Sequence, residues 1–542
     1  MCGIWCRIGS KKIPEDPSVA VKELEARGPE GTRIIDVDER VTMGFTRLAI
    51  NGLTDAGMQP YSLGHVSWMC NGEIYNSASL EKKLHLSNTG SDCQCIGELY
   101  LRHNDNLVAF ARALDGVFAI TLYDSKLNRL IVTRDPFGIR PLFIGKNKDS
   151  NAIVFSSEMK SLSDFEIINV FTPGTIQCYD TLSLELIQNI KYHTINFITH
   201  HRYLSRNCAI NDLRYALEQS IIKRLLTDRP IACLLSGGLD SSLIASLLQK
   251  NIKKLNGTPL KTFSIGFEGS SDLAHAQIVS KYIESDHTEI KMTPDDFFNA
   301  IPEVIRAIES YDTTTVRASV GNYLIGKKIK ELSDCKVVFN GDGSDELFGG
   351  YLYFYNAPNS DEFHSETERL LTDIHTFDVL RSDRCMSANG LEARTPFLDK
   401  QFVSIIRSVD PYFLLPIHGK EIEKKLLRDA FNDRATLPDA ILWRRKEAFS
   451  DGVSTPEKAW FQEIQDRVSK IVPEDWKERL NIDVCNDNLP RTAEEYYYRS
   501  LFIEYFGTKN LKTTVPYRWM PRWCPETNDP SAKTLNIYNG ST

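Results

Sequence analysis

The chain has 542 residues, 42% of them hydrophobic and 25% charged, with a formal net charge of −8. At roughly 100–200 residues per domain, this length holds two to four domains and material for large cores. The negative balance argues against a general nucleic-acid or anionic-membrane binder, no apolar run approaches the roughly 18–20 residues of a spanning helix, and no basic stretch followed by an apolar one marks a signal peptide.

The chain opens on "MCGIW", with Cys2 directly behind Met1. Residues 1 to about 190 read as β-rich. "RVTMGFTRLAI", "HVSWMCNGEIY", "GVFAITLYD" and "RLIVTRDPFGIRPLFIG" are short β-branched or aromatic runs with partial alternation, broken by Gly, Asn, Asp and Pro. "SVAVKELEAR" and "QCIGELYLRH" are helical patterns between them, so sheets covered by helices are expected. The polar stretch "NFITHHRYLSRNCAIND" is the linker candidate. After it, "DLRYALEQSIIKRLL" has helical spacing, and "IACLL", "KTFSIGF", "TEIKM" and "CKVVFN" are short apolar strands separated by helices. That βα alternation predicts a parallel sheet with helices on both faces. From about 360 the pattern is helical, and "DPSAKTLNIYNGST" reads as a surface tail. The twelve cysteines show no paired CxxC spacing; reduced thiols in a cytoplasmic compartment are expected, with neither a disulfide framework nor a zinc site.

The amino-terminal segment carries one candidate chemistry. If Met1 is removed, Cys2 offers a thiol beside a free α-amine of pKa about 7.7–8.0. That amine can serve as base for its own side chain. "NGEIYN" supplies an oxyanion hole in the Asn71 side-chain amide and the Gly72 backbone N–H. Arg47 can hold an α-carboxylate by bidentate bonds, and Asp92 or Glu73 an α-ammonium. Such a pocket suits a zwitterion with an amide side chain, glutamine.

"IACLLSGGLDSSLIASLLQK" reads strand, loop, helix. Gly237 and Gly238 let backbone N–H groups approach an anion, and the following helix N-terminus adds positive partial charge. Ser236, Ser241 and Ser242 add hydroxyl donors. Asp240 would repel a bare phosphate and makes sense as a Mg²⁺ ligand beside phosphates. No GK[ST] follows, so this is not a Walker A loop; it resembles the pyrophosphate-holding loop of ATP-pyrophosphatases. "CKVVFNGDGSDELFGGY" repeats the strand-loop-helix character. It makes Asp345 a second metal-ligand candidate, with Asp342 and Glu346 as further carboxylates at the carboxyl ends of the strands. This acidic cluster needs cations. Lys424 and Lys446 are candidates for leaving phosphates, and Arg317 for a substrate carboxylate.

The ordered set "MCGIW", "RGPE", "RLAI", "NGEIYN", "SGGLDSS", "SIGF", "YDTTTVRAS", "GDGSDELFGGY", "RTPFLD", "IEKKLLR" and "KEAFSDGV" resembles the glutamine-hydrolysing asparagine synthetases of eukaryotic type, across essentially the whole chain. The resemblance implies an N-terminal-nucleophile glutamine amidohydrolase with an αββα sandwich over residues 2–195. It implies a Rossmann-like, parallel-sheet ATP-pyrophosphatase domain with a helical carboxyl-terminal part over residues 205–530. It implies a glutamyl thioester on Cys2, β-aspartyl-AMP made from aspartate and ATP with Mg²⁺, and ammonia passing through an internal tunnel. By the same resemblance Arg47, Leu48, Ala49, Ile50, Asn51, Asn71, Gly72, Glu73 and Asp92 match glutamine-binding positions. Leu234, Ile265, Asn340 and Gly341 match the AMP portion of ATP, and Asp240 and Asp345 the magnesium and pyrophosphate region. Thr314, Thr315, Arg317 and Glu346 match the aspartate site, and Lys446 and Asp342 stand among the catalytic candidates. The resemblance allows a homodimer. Three departures stand out: Glu30 for the family's usual Asp, Thr46 for His, and Asn340 with Asp342 for Ser and Glu. Asp342 is one methylene shorter, and a displacement of ~1 Å can cost on the order of 10²-fold in rate. The alternatives are a related amidotransferase acting on another carboxylate and a degenerate binding protein that keeps the fold.

Overall fold

On the strand Val66–Ile74 the residues alternate: Trp68 and Cys70 pack into one buried cluster and Met69 into another. A strand with apolar residues on both sides must be covered on both sides, and this requirement organises the first half of the chain. The computed structural model describes residues 1–9, 16–86, 90–147, 152–195, 203, 205–455, 457–480 and 488–539. The chain forms two units, one of residues 1–194, 226–229 and 386–392, the other of residues 195–225, 230–385 and 393–542.

The first unit holds two six-stranded sheets. One contains β1 (Gly3–Gly9), β2 (Thr32–Asp38), β3 (Val41–Thr46), β8 (Phe143–Lys146), β9 (Ala152–Ser156) and β10 (Ile167–Val170), in the order β10-β8-β9-β1-β3-β2. The other contains β4 (Tyr61–Leu63), β5 (Val66–Ile74), β6 (Gly116–Asp124), β7 (Arg129–Arg134), β11 (Thr175–Asp180) and β12 (Leu186–Lys191), in the order β12-β11-β7-β6-β5-β4. All these pairings are antiparallel. Ile4, Cys6 and Ile8 of β1 meet Met69 of β5, Ala119 and Tyr123 of β6 and Val132 of β7 between the sheets. The outer face of the second sheet is covered by α3 (Cys95–His103) and α4 (Leu107–Ala113), where Ile96, Tyr100 and Phe110 pack on Trp68 and Phe118. Helix α1 (Pro17–Lys22), capped by the Asp16 side chain on the Ser18 N–H, lies on the first sheet, and α2 (Ser77–Leu84) follows β5. The unit is an αββα sandwich. Each fully buried large apolar side chain contributes about 1.5–3 kcal/mol.

In the second unit β13 (Ile231–Leu234), β14 (Lys261–Gly266), β15 (Asp286–Lys291) and β16 (Val337–Phe339) pair in parallel, and β17 (Glu392–Arg394) completes the order β15-β14-β13-β16-β17. Helices α5 (Arg206–Lys223), α6 (Leu239–Asn256), α7 (Ser271–Ile283), α8 (Pro294–Ile308), α9 (Thr313–Leu332) and α10 (Ser344–Phe348) connect or flank these strands. This is the Rossmann-like arrangement, with a mostly helical remainder that includes Asp378–Ser387, Trp460–Ile471 and Ala493–Phe506. Register pairs Cys233 with Phe339, so the loops after β13 and β16 emerge side by side. Gly341 is there because a Cβ would lie 2.8 Å from the Asp240 Cβ and 2.9 Å from the Ser241 N.

Two expectations change. Of the linker stretch, residues 196–202 and 204 lie outside the described residues, Tyr203 bridges Val409, and the part from Arg206 on is helical, with Ser205 capping α5 by accepting from the Cys208 N–H. The surface tail is partly an inserted segment. Leu535 is 3% exposed and Ser531 9%, and Asp529 forms an ion pair with Arg317; residues 540–542 lie outside the described residues. Its polar composition hides this because its contacts are ionic. Among the described residues every cysteine is a free thiol, and no helix is long and apolar enough to cross a membrane.

Candidate active sites

In the first unit the chain start is buried. Met1 is 2% exposed; its α-amine lies 3.9 Å from Glu392, and its Sδ accepts from Arg140 Nη1 at 2.6 Å. Burial pushes that amine down to about 6, Glu392 opposing. Cys2 Sγ points to the Leu48 carbonyl at 3.6 Å, and the Cys2 carbonyl accepts from Arg27 Nε at 3.0 Å. Burial pushes the Cys2 thiol up to about 11. A thiol in such a place stays protonated and needs a base at hand.

Asn71 stands on β5 opposite Ala119. It is fully buried, yet neither its Nδ2 nor its Oδ1 has a hydrogen-bond partner. A buried amide without partners costs about 1–3 kcal/mol, and such orphans mark sites that receive a partner from outside. Gly72 beside it admits no side chain, since a Cβ would meet the Val117 carbonyl at 2.1 Å. Glu73 accepts from Asn51 Nδ2 at 2.5 Å, and Asp92 from the Ile74 N–H at 2.7 Å. Arg47 donates to the carbonyls of Gly52 and, at 2.8 Å, Thr54, which commits one donor of each terminal nitrogen to its own loop. Leu48, Ala49 and Ile50 are buried. Glu30 has a clear job: its Oε2 accepts from the Ala49 N–H at 2.6 Å, and its Oε1 pairs with Arg229 at 2.9 Å. Thr46 donates to the Leu24 carbonyl at 3.0 Å.

In the second unit a cavity of about 1560 Å³, its solvent-filled mouth included, lies at the carboxyl ends of the parallel strands. It is lined by Leu234, Ser236, Gly238, Asp240, Ser241, Ile265, Thr314, Thr315, Asn340, Gly341, Asp342, Asp345, Glu346, Lys424 and Lys446. The Ser236 and Ser241 hydroxyls are 3.0 Å apart, and Gly237 turns the loop at φ +73°. Gly237 and Ser242 do not line the cavity; Ser242 is fully buried, and its Oγ has no hydrogen-bond partner.

Lys424 Nζ lies 2.7 Å from Asp240 and 2.6 Å from Asp345, and Lys446 Nζ lies 2.6 Å from the other Asp345 oxygen. Burial works against the Asp345 charge, but these two ammonium groups outweigh it and hold the carboxyl well below its usual range. Burial pushes Asp342 up, and it pushes Glu346 well up, with Asp378 adding to it. Lys424 thus occupies a point within reach of both carboxylates. A divalent cation could bridge the same pair, and two carboxylates completed by phosphate oxygens and water suit Mg²⁺. Among the described residues no group of three or more His, Cys, Asp or Glu forms a metal site by itself.

One sequence expectation fails. Arg317 does not face the cavity: it is 4% exposed, and four of its donors make two bidentate pairs, to Glu494 at 2.6–2.8 Å and to Asp529 at 2.8 Å. A guanidinium so committed cannot also grip a substrate carboxylate. The cavity instead contains Arg381, which contacts Asp378 and lies 3.7 Å from Asp342. Sequence reasoning missed Arg381, Asp378 and Trp519. The first two stand three apart in "FDVLRSDR" with no glycine turn to mark them, so nothing local separates them from a solvated helix face.

A family model described as a glutamine amidotransferase domain matches residues 1–210, and one described as asparagine synthase matches residues 212–364 and 356–521. The chain is 38% identical over 572 aligned residues to the asparagine synthetase (glutamine-hydrolyzing) of Gallus gallus, and 38% over 570 to that of Homo sapiens, each alignment covering 100% of both chains. Among solved structures, a glutamine phosphoribosylpyrophosphate amidotransferase from B. subtilis matches 48% of this chain and 65% of its own, at 18% identity and a TM-score of 0.30.

Proposed function

This chain belongs to the glutamine-hydrolysing asparagine synthetases, and from that premise we propose how its residues share the work. It is a carbon–nitrogen ligase that makes asparagine from aspartate with ATP, taking nitrogen from glutamine. The observation that carries the assignment of roles is the coexistence, in one chain, of a half-buried Cys2 and an unpartnered Asn71 amide in the first unit and a phosphate-type loop facing two lysines in the second.

With Met1 removed, the α-amine of Cys2 takes the thiol proton as sulfur attacks the glutamine amide carbon. The oxyanion is met by Asn71 Nδ2 and the Gly72 N–H, ammonia leaves, and water hydrolyses the thioester to glutamate. Asp92 and Glu73 hold the glutamine ammonium, and the remaining donors of Arg47 its carboxylate. In the cavity the Ser236–Ser241 loop cradles the phosphates, with Leu234, Ile265, Asn340 and Gly341 around the nucleoside. The β-carboxylate of aspartate attacks the α-phosphorus, pyrophosphate leaves toward Lys424 and Lys446, and ammonia then displaces AMP. Asp240 and Asp345 would hold Mg²⁺, which would supply charge neutralisation on the leaving pyrophosphate. Thr314, Thr315 and Glu346 hold aspartate, with Arg381 in the carboxylate-binding part first expected of Arg317. Transfer of ammonia without release to water keeps it unprotonated and nucleophilic. A reducing, cytosol-like compartment fits the free thiols; a homodimer stays an expectation of the sequence.

Pyrophosphate release measured against a panel of carboxylic acids, with ammonium as nitrogen source, tests the acceptor. Release with aspartate is expected; release with another acid and none with aspartate would replace it.

A further inference from the structure

We propose that the carboxyl-terminal segment 516–537 is a clasp that sets the aspartate end of the synthetase cavity, with Asp529 as its positioning residue acting through Arg317. The inference rests on the reading that Thr314 and Thr315 hold aspartate.

Three sets of contacts carry it. The first is on α9, whose opening turn bears Thr314 and Thr315 in the cavity wall. Asp312 caps this helix, accepting from the Thr315 N–H at 2.9 Å and its hydroxyl at 2.8 Å, and the Trp519 backbone N–H bonds the same carboxylate. One turn further along, Arg317 is held by Asp529 from the clasp and by Glu494 from the helix Ala493–Phe506. Asp529 is itself fixed, accepting from the Ser531 N–H at 2.8 Å and from Gln465 Nε2 at 2.9 Å.

The second set reaches the segment that bears Lys446. Arg445 Nη2 donates to the Ile537 carbonyl at 2.6 Å, and Ser531 Oγ lies 3.2 Å from Asp451. The third is the cavity wall itself, where Trp519 stands edge-on to Tyr351 at 6.2 Å. Arg317 and Asp529 are 212 positions apart in the chain, so their ion pair ties the chain's end to the opening turns of α9. Burial leaves these ion pairs little screening by solvent; without the Asp529 charge Arg317 stays paired with Glu494 alone, and the bond that ties the clasp to α9 is lost. The Asp529 carboxylate bonds Arg317, Gln465 and the Ser531 N–H and no residue of the Ser236–Ser241 loop, and the contact toward the Lys446 segment is made by Ile537, so loss of the Asp529 charge should act on aspartate binding more than on nucleotide binding.

The test is Asp529→Asn in the full chain, read as ammonia-dependent asparagine synthesis at varied aspartate and varied ATP, with glutaminase turnover in the same preparation as the fold control. The expected result is a KM for aspartate raised about tenfold or more, a KM for ATP within about twofold of wild type, and unchanged glutaminase. Asp529→Glu, which keeps the charge, should hold the aspartate KM within about threefold of wild type. An unchanged aspartate KM in Asp529→Asn overturns the proposal. So does a parallel loss of ATP binding and glutaminase, which would mark general damage, or an Asp529→Glu as impaired as Asp529→Asn. A wild-type protein with no aspartate-dependent synthesis at all would instead sink the underlying reading of the cavity.

Discussion

Asn340 Nδ2 donates to Asp342 Oδ2 at 2.8 Å and lies 2.6 Å from Ser382 Oγ. The residue that stands where serine is usual thus holds the carboxylate that stands where a longer glutamate is usual. Asn340 reaches two residues on and fixes the shorter side chain, while Arg381, at 3.7 Å, supplies charge without a tight bond. Asn340→Ser should therefore leave Asp342 to Ser382 and Arg381 alone and lower the rate of ammonia-dependent synthesis by roughly 10- to 100-fold, a misplacement effect, leaving glutaminase intact. Steady-state rates with ammonium and saturating ATP check this. A wild-type rate in Asn340→Ser would mean that Asp342 needs no holder.

Asn71 gives the sharpest expectation in the first unit. Its amide is buried with nothing to bond, so its partner is supplied during the reaction. Asn71→Ala should lower the glutaminase kcat by about 10²–10³, with a smaller change in the KM for glutamine. A change confined to KM would assign the amide to substrate binding in the ground state.

Stability should carry a pH signature from Asp272. This buried residue lines the synthetase cavity; burial pushes its carboxyl up to about 7, with Arg444 opposing. The folded chain then keeps a proton that the unfolded chain releases at about pH 4. The contribution is complete below the unfolded value and is lost as pH rises through about 7. Asp272→Asn mimics the protonated form and retains the partner role toward Arg444, which lies 3.1 Å away. The variant's advantage over wild type in thermal unfolding should be small at pH 5 and larger at pH 8. A gap of equal size at both pH values would contradict this.

Much of the architecture is legible in the sequence because it follows from local pattern. The alternation in "HVSWMCNGEIY" becomes β5, and the strand-loop-helix of "IACLLSGGLDSS" becomes β13 and α6. Asp240 and Asp345, in the first turns of α6 and α10, are brought together by strand order, which βα alternation makes readable. Arg317 shows where that reading fails. Its motif sits on the active-site helix, but which way its charge points is decided by Glu494 and Asp529, more than 170 positions away. A polar tail and an unmarked helix face carry no local signal of such pairing, which is why the clasp and Arg381 emerge only from the fold.

The division of labour between the two units is the central claim, and Cys2→Ala tests it most directly. Asparagine formation should be measured with glutamine and, separately, with ammonium, at the same aspartate and ATP. The account predicts that glutamine-dependent synthesis is abolished while ammonium-dependent synthesis stays near the wild-type rate. Loss of both would contradict it, because Cys2 would then be holding up the synthetase cavity and not liberating nitrogen for it.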